Sequence, residues 1–316
     1  MIGFCVEASH ARGLGHLFKA LTLIDALARR GESCLVMVND DPNATAILTH
    51  RSVRYVTVGL ADTQSDWESA LIAESGISLW VNDRLDTSLR HAENVKRNGI
   101  KLVTFDDRGG GASLADLHFA PLVFSGSAGL SGKRVLSGIQ YLALNPEIDR
   151  YRRARAQLKS PTLVTLGGSD TYGVTVRVVA LLKKLDRLAT VVTGPSFQHA
   201  EELERALDER FTWKRNVPSL IQEFYDYDLA ITGGGVTPFE ANASGLPCII
   251  VANEPHEIDI GKYLAGVGSS IFAGYYQEMA AKVFERELDL AAMSQAGIEQ
   301  IKTNGVDNIL RELAAL

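Results

Sequence analysis

The chain of 316 residues holds three cysteines, Cys5, Cys34 and Cys248. The number is odd, and each lies in an apolar run that reads as a strand. This excludes a disulfide framework and implies reduced, buried thiols in a reducing compartment. No Cys-x-x-Cys pair and no His/Cys cluster has the spacing of metal ligands, so no metal site and no cofactor is expected. Excess positive charge is also lacking. Lys and Arg total 32 against 38 Asp and Glu, a formal charge of -6, which excludes nucleic acid as a partner because phosphate neutralisation needs clustered cations. No apolar stretch approaches the ~20 residues that span a bilayer. The segment Met1–Glu7 has neither the basic region nor the cleavage site of a secretory leader, so a cytoplasmic location is expected. Proline is sparse, 9 against 28 glycines, and hydrophobic residues make up 46%, which argues against disorder.

What is present is alternation. Short β-rich runs at Ile2–Glu7, Ser33–Val38, Val53–Val58, Ser78–Asn82 and Ile100–Phe105 alternate with helical patterns. In His16–Arg30 the residues Leu17, Ala20, Leu21, Ile24, Leu27 and Ala28 form one apolar face, and Gly31 follows as a C-cap. The pattern breaks in the Gly- and Ser-rich stretch 109–137 and resumes at Thr162–Leu166. Further strands read at Leu188–Thr193, Phe211–Lys214, Asp228–Thr232 and Cys248–Ala252, and the last ~40 residues read as helices. Such alternation implies parallel sheets built from βαβ units. The length suits two domains, with a boundary near 140–158: residues 1–145 form one Rossmann-like domain and 146–316 a second, whose last helix is a candidate to pack back on the first. The basic run 149–155 beside that boundary reads as a solvated helix face.

Two doubly wound halves facing a cleft place ligands outside the carboxyl ends of their strands, so the strand-to-helix turns carry the chemistry. The first is 9–16, where Gly13 and Gly15 permit a tight turn and His16 opens the helix as a candidate base. It is not a Gly-x-Gly-x-x-Gly dinucleotide fingerprint, since Phe18 stands at the third glycine position; a nicotinamide enzyme is rejected on that ground. The second is Gly167-Gly168-Ser169-Asp170, a loop that a phosphate can approach. The third is Gly233-Gly234-Gly235, followed by Thr237 and Glu240. Successive glycines expose backbone amides to an anion, and Glu240 is placed to accept hydrogen bonds from a ribose diol. At the ends of two N-terminal strands lie Asn82, Asp83, Asp106 and Asp107, polar residues able to orient a sugar or His16. His256, in the loop after Cys248–Ala252, is a further sugar-side candidate. His50, His91, His118 and His199 read as surface or core residues.

The order and spacing of Gly13-Leu14-Gly15-His16, Asp106-Asp107, the 141–147 stretch, Gly167–Asp170 and 228–247 resemble the UDP-2,4-diacetamido-2,4,6-trideoxy-β-L-altropyranose hydrolases of pseudaminic acid synthesis and the spore-coat polysaccharide protein G family. The second half more distantly resembles the N-acetylglucosaminyltransferase of peptidoglycan synthesis. The resemblance implies a GT-B fold and hydrolysis of a UDP-sugar without a metal. His16 would position or deprotonate the attacking water, with Asp83 and Asp107 as its catalytic partners. Gly13, Gly15, Asn82, Asp106 and His256 would contact the sugar. Gly167, Gly168, Ser169, Gly233, Gly234, Gly235 and Thr237 would hold the diphosphate, Glu240 the ribose, and Asn216-Val217 the base. Two departures fall on the sugar side. The family's Arg-x-Asp segment after strand one is replaced by Glu7-Ala8-Ser9-His10, and its Asn-Gln pair is missing near Pro255-His256. The donor sugar is thereby open. So is the acceptor: a glycosyltransferase using the same nucleotide-sugar half, or a silent binding protein, remain alternatives.

Overall fold

The computed structural model describes residues 1–8, 14–62, 64–123, 129–168, 170–194 and 196–316. The turn residues 9–13, including Gly13, and Ser169 lie outside the described set. The chain divides into two compact units, Met1–Ala143 with Asn304–Leu316, and Leu144–Thr303.

Unit 1 runs β1 (Ile2–Val6), α1 (Gly15–Ala28), β2 (Cys34–Val38), α2 (Pro42–His50), β3 (Tyr55–Thr57), α3 (Trp67–Ser75), β4 (Leu79–Asp83), α4 (Leu89–Arg97), β5 (Lys101–Phe105), β6 (Leu117–Ala120) and β7 (Val135–Ser137). All pairings are parallel, in the order β3-β2-β1-β4-β5-β6-β7. The period-2 alternation of strand side chains divides each strand between two cores. Phe4, Val6, Val36, Val81 and Phe105 face α1 on one side. Cys5, Leu35, Met37, Trp80 and Leu102 face the other with Ile72 and Val95. Each such side chain, fully buried, contributes roughly 1.5–3 kcal/mol.

Unit 2 runs α5 (Ile148–Tyr151), β8 (Thr162–Thr165), α6 (Val174–Lys184), β9 (Ala189–Thr193), α7 (Ala200–Ala206), β10 (Phe211–Arg215), α8 (Leu220–Phe224), β11 (Ala230–Thr232), α9 (Thr237–Ala243), β12 (Cys248–Ala252), α10 (Glu257–Val267), β13 (Ser270–Tyr275) and α11 (Leu290–Gln300). Its sheet, again parallel, has the order β10-β9-β8-β11-β12-β13. The last helix, α12 (Gly305–Ala314), belongs to unit 1, where Ile309, Leu310 and Leu313 share the core of Leu17, Leu21 and Ile24.

The basic run 149–155 departs from the solvated-helix reading. Helix α5 ends at Tyr151, and Arg155 is fully buried at 1% exposure. Its guanidinium donates to the carbonyls of Arg153, Phe224, Tyr227 and Ser244, and burial pushes it down to about 9. A planar fork of five donors satisfies several carbonyls at once, and the nearby Asp228 carboxylate also favours the charge.

Candidate functional site

In each sheet the chain leaves its first strand in one direction and later returns to the other side, so a switch point lies between β1 and β4 in unit 1 and between β8 and β11 in unit 2. At a switch point the flanking turns diverge and open a crevice at the carboxyl edge.

In unit 1 that edge gathers four charged or titratable side chains. His16, the second residue of α1, puts Nδ1 2.6 Å from Asp83 Oδ1 at the end of β4. Lys19, one turn further along α1, places Nζ 3.0 Å from the same oxygen and 3.4 Å from Asp106 Oδ2, and 4.8 Å above the Phe105 ring. The i, i+3 spacing sets both residues on one helix face. Asp83 is 2% exposed at its side chain, His16 18%, so the pair is sheltered on the carboxylate side and open on the imidazole side. Burial alone would raise the Asp83 carboxyl, but Lys19 and His16 outweigh it and hold it below the usual carboxylate range. Burial likewise works against the Lys19 ammonium, and Asp83 and Asp106 reverse that and raise it. An ionised Asp83 only accepts, so Nδ1 of His16 is the donor of this contact, and in the neutral imidazole Nε2 is then the nitrogen that keeps a lone pair. Asp83 Oδ2 is buried and has no hydrogen-bond partner among the described residues. Gly15 stands immediately before His16, at the first position of α1.

Asp106 adopts a positive φ of 52° in the turn after β5, a conformation Asp tolerates better than most residues. Asn82 and Asp107 do not join this cluster. Asn82 points to the opposite face from Asp83, fully buried; Oδ1 accepts from Trp80 Nε1 at 2.8 Å and pairs with His91 Nε2, and Nδ2 donates to Thr87. Asp107, also fully buried, accepts the backbone N–H of Thr87 and Gly109 through Oδ1, both at 2.9 Å. Both brace the turn around Thr87. Lys19 was not singled out from the sequence, although its i+3 offset from a candidate histidine is a readable signal.

In unit 2 the turns after β8 and β11 carry glycines at the switch point. Gly167 has a φ of +95°, and a Cβ added at Gly168 or at Gly235 would meet nothing within 4 Å. Among the described atoms, packing does not require a glycine at Gly168 or Gly235. Gly234 is different. Its N–H donates to Glu257 Oε2 at 3.1 Å, and the same oxygen accepts from Asn253 N at 2.7 Å. The middle amide of the triple glycine is therefore already engaged by a carboxylate of the protein. Asp170, φ 44°, caps α6 by accepting from Val174 N and Thr175 N at 2.8 Å. Thr237 opens α9 and Glu240 lies one turn inside it. Burial pushes the Glu240 carboxyl up to about 7, against the pull of the Asn145 N–H. Asn216, φ 53°, donates its N–H to Thr193 O, so the Asn216-Val217 turn lies at the ends of β9 and β10. His256 is exposed just before α10. Among the described residues, no group of three or more His, Cys, Asp or Glu is placed to hold a metal ion, and no helix is long and apolar enough to cross a membrane.

No protein-family model matches the sequence. The chain is similar to the spore coat polysaccharide biosynthesis protein SpsG of Bacillus subtilis, 23% identical over 293 residues, covering 86% of this chain and 83% of that one. Among solved structures it is similar to MurG of Acinetobacter baumannii, with TM-score 0.70 and 14% identity over 100% of this chain and 99% of that one. It is also similar to Phytolacca americana UGT2 complexed with UDP-2fluoro-glucose and pterostilbene, with TM-score 0.65 and 12% identity over 100% and 99%. Two parallel α/β sheets of seven and six strands, together with these likenesses, give the chain the GT-B fold.

Proposed function

We propose that the protein is an enzyme of polysaccharide synthesis that acts on a nucleotide-sugar, UDP-linked by preference, and hydrolyses it at the anomeric carbon. The His16–Asp83 contact at the unit 1 switch point carries the reading. A water held at Nε2 of His16 gives up its proton to that nitrogen as its oxygen bonds to the anomeric carbon. The bond from that carbon to the diphosphate oxygen breaks, and the nucleoside diphosphate leaves with the bonding pair. Asp83 holds the imidazole and compensates the imidazolium that forms. Lys19, itself paired with Asp106, keeps Asp83 ionised and in place. Unit 2 binds the nucleotide: Gly167, Gly168 and Gly235 admit the diphosphate, Glu240 takes the ribose, and Asn216-Val217 the base. Gly15 and His256 are the remaining sugar-side candidates. The similarity to a spore coat polysaccharide biosynthesis protein supports the carbohydrate setting.

The test is incubation with a panel of UDP- and CMP-sugars without acceptor, following free nucleotide. Release by the wild type and its loss in His16→Ala is the expected result; silence across the panel overturns hydrolysis. The second reading, transfer to an acceptor other than water, is favoured by the likeness to a structure holding both a UDP-sugar analogue and pterostilbene. Release of nucleotide only when an acceptor is supplied selects it.

A further inference from the structure

The three consecutive glycines after β11 are not equivalent, and their differences identify a residue that the sequence did not single out. A Cβ at Gly233 would lie 3.1 Å from Asn253 Nδ2, and a Cβ at Gly234 would lie 2.5 Å from Glu257 Cβ. At Gly235 it would meet no described atom within 4 Å. Two of the three glycines thus admit other parts of unit 2, and one remains for a ligand. What they admit is a connected set of hydrogen bonds. Glu257, the first residue of α10, accepts from Gly234 N in the turn after β11 and from Asn253 N in the turn after β12 through a single oxygen. Asn253 in turn donates from Nδ2 to the carbonyl of Leu166, 3.2 Å away, where the turn after β8 begins. One carboxylate and one amide side chain therefore tie together the three strand-end turns that frame the switch point.

From this geometry we infer that Glu257 is a positioning residue. It latches the turns after β11 and β12, and through Asn253 the turn after β8, so that the nucleotide-binding edge of unit 2 is formed before ligand arrives. The inference rests on the nucleotide reading above for its effect on affinity, but not for the latch itself. A carboxylate bonded to backbone amides is a charge-assisted pair, stronger than a neutral one, and groups held in place beforehand bind without an ordering cost. The competing idea is that Glu257 occupies an anion position and must be displaced by the diphosphate. The two ideas predict opposite changes in affinity when the carboxylate is removed.

The experiment uses the full chain, with Glu257→Ala and Glu257→Gln compared with the wild type. The glutamine keeps an oxygen able to accept from both amides and removes the charge. Amide hydrogen exchange reads the latch directly, and calorimetric titration with UDP reads its consequence. Expected in Glu257→Ala are exchange at Gly234 and Asn253 faster by about tenfold or more, and UDP affinity weaker by about tenfold. Glu257→Gln is expected within about threefold of the wild type in both. Unchanged exchange in Glu257→Ala overturns the latch. Faster exchange with equal or tighter UDP binding overturns the positioning role in favour of displacement. A wild type that binds no UDP sinks the nucleotide reading instead, and the exchange comparison then decides the latch alone.

Discussion

The two switch points occupy equivalent places in their sheets and are furnished in opposite ways. In unit 1 the turns bring charged side chains against one another: His16 and Lys19 converge on Asp83, with Asp106 behind Lys19. In unit 2 the carboxylates at the same edge are spent on backbone amides, Asp170 on α6 and Glu257 on Gly234 and Asn253, and glycines stand open at Gly168 and Gly235. Side chains in mutual contact can move a proton. Braced glycine turns can admit an anion and do little else. Under the function proposed, nearly identical topologies would serve two tasks, chemistry and holding, because side-chain content at the strand ends varies without disturbing the sheet.

The contrast breaks most sharply at His16. His16→Ala is expected to lower kcat by about 10²–10⁴ while UDP affinity by calorimetry stays within about threefold. Equal losses in both would mean that unit 1 also holds the nucleotide. Next comes Lys19. Removing one partner of a sheltered ion pair strands the other, so Lys19→Met is expected to cost about 2–4 kcal/mol in chemical denaturation. The double variant with Asp83→Asn should lose less than the sum of the singles; strict additivity would show the pair to be uncoupled.

In unit 2 the glycines sort by what they face. Gly168→Ala and Gly235→Ala should fold with unchanged Tm and bind UDP about tenfold or more weakly. Gly234→Ala should lower stability by about 1–3 kcal/mol, because its Cβ has no room beside Glu257. Alanines at Gly168 and Gly235 that leave affinity intact would remove both from the binding surface. Glu240 carries an effect that is confined to high pH. Its folded carboxyl is raised to about 7, so the fold favours the protonated form. The group's contribution to stability is therefore full below the ordinary carboxylate range and is lost as pH rises through about 7. Glu240→Gln is expected to be more stable than wild type by about 1–3 kcal/mol at pH 8, nearly equal to it at about pH 4, and weaker for UDP. A stability difference that does not vary with pH would show that the charge is not strained.

The sequence was legible where a period was long enough to register. The run from Leu17 to Ala28 repeats every three to four residues and proved to be α1, and Cys248–Ala252 proved to be β12 to the residue. β6, β7 and β13 were missed. The first two are four and three residues long inside a Gly- and Ser-rich stretch, too short to display alternation, and β13 carries a glycine at Gly274. Helix α2 escaped because Pro42 begins it and its buried residues are only Ala44 and Leu48.

Composition and pattern alone determined that this chain builds parallel α/β sheets with glycine turns and a histidine at a helix start. Those properties are local, carried by spacing along a few residues. Only the tertiary structure decided which polar residues meet. Asp83 reaches His16 across 67 positions while Asn82, its neighbour, turns away, since adjacent residues on a strand point to opposite faces and strand order, not sequence order, sets what lies across from each. Likewise the glycine triplet was visible from the start, but Glu257, which engages its middle amide, lies 23 positions on, and that pairing exists because β11 and β12 are neighbours in the sheet.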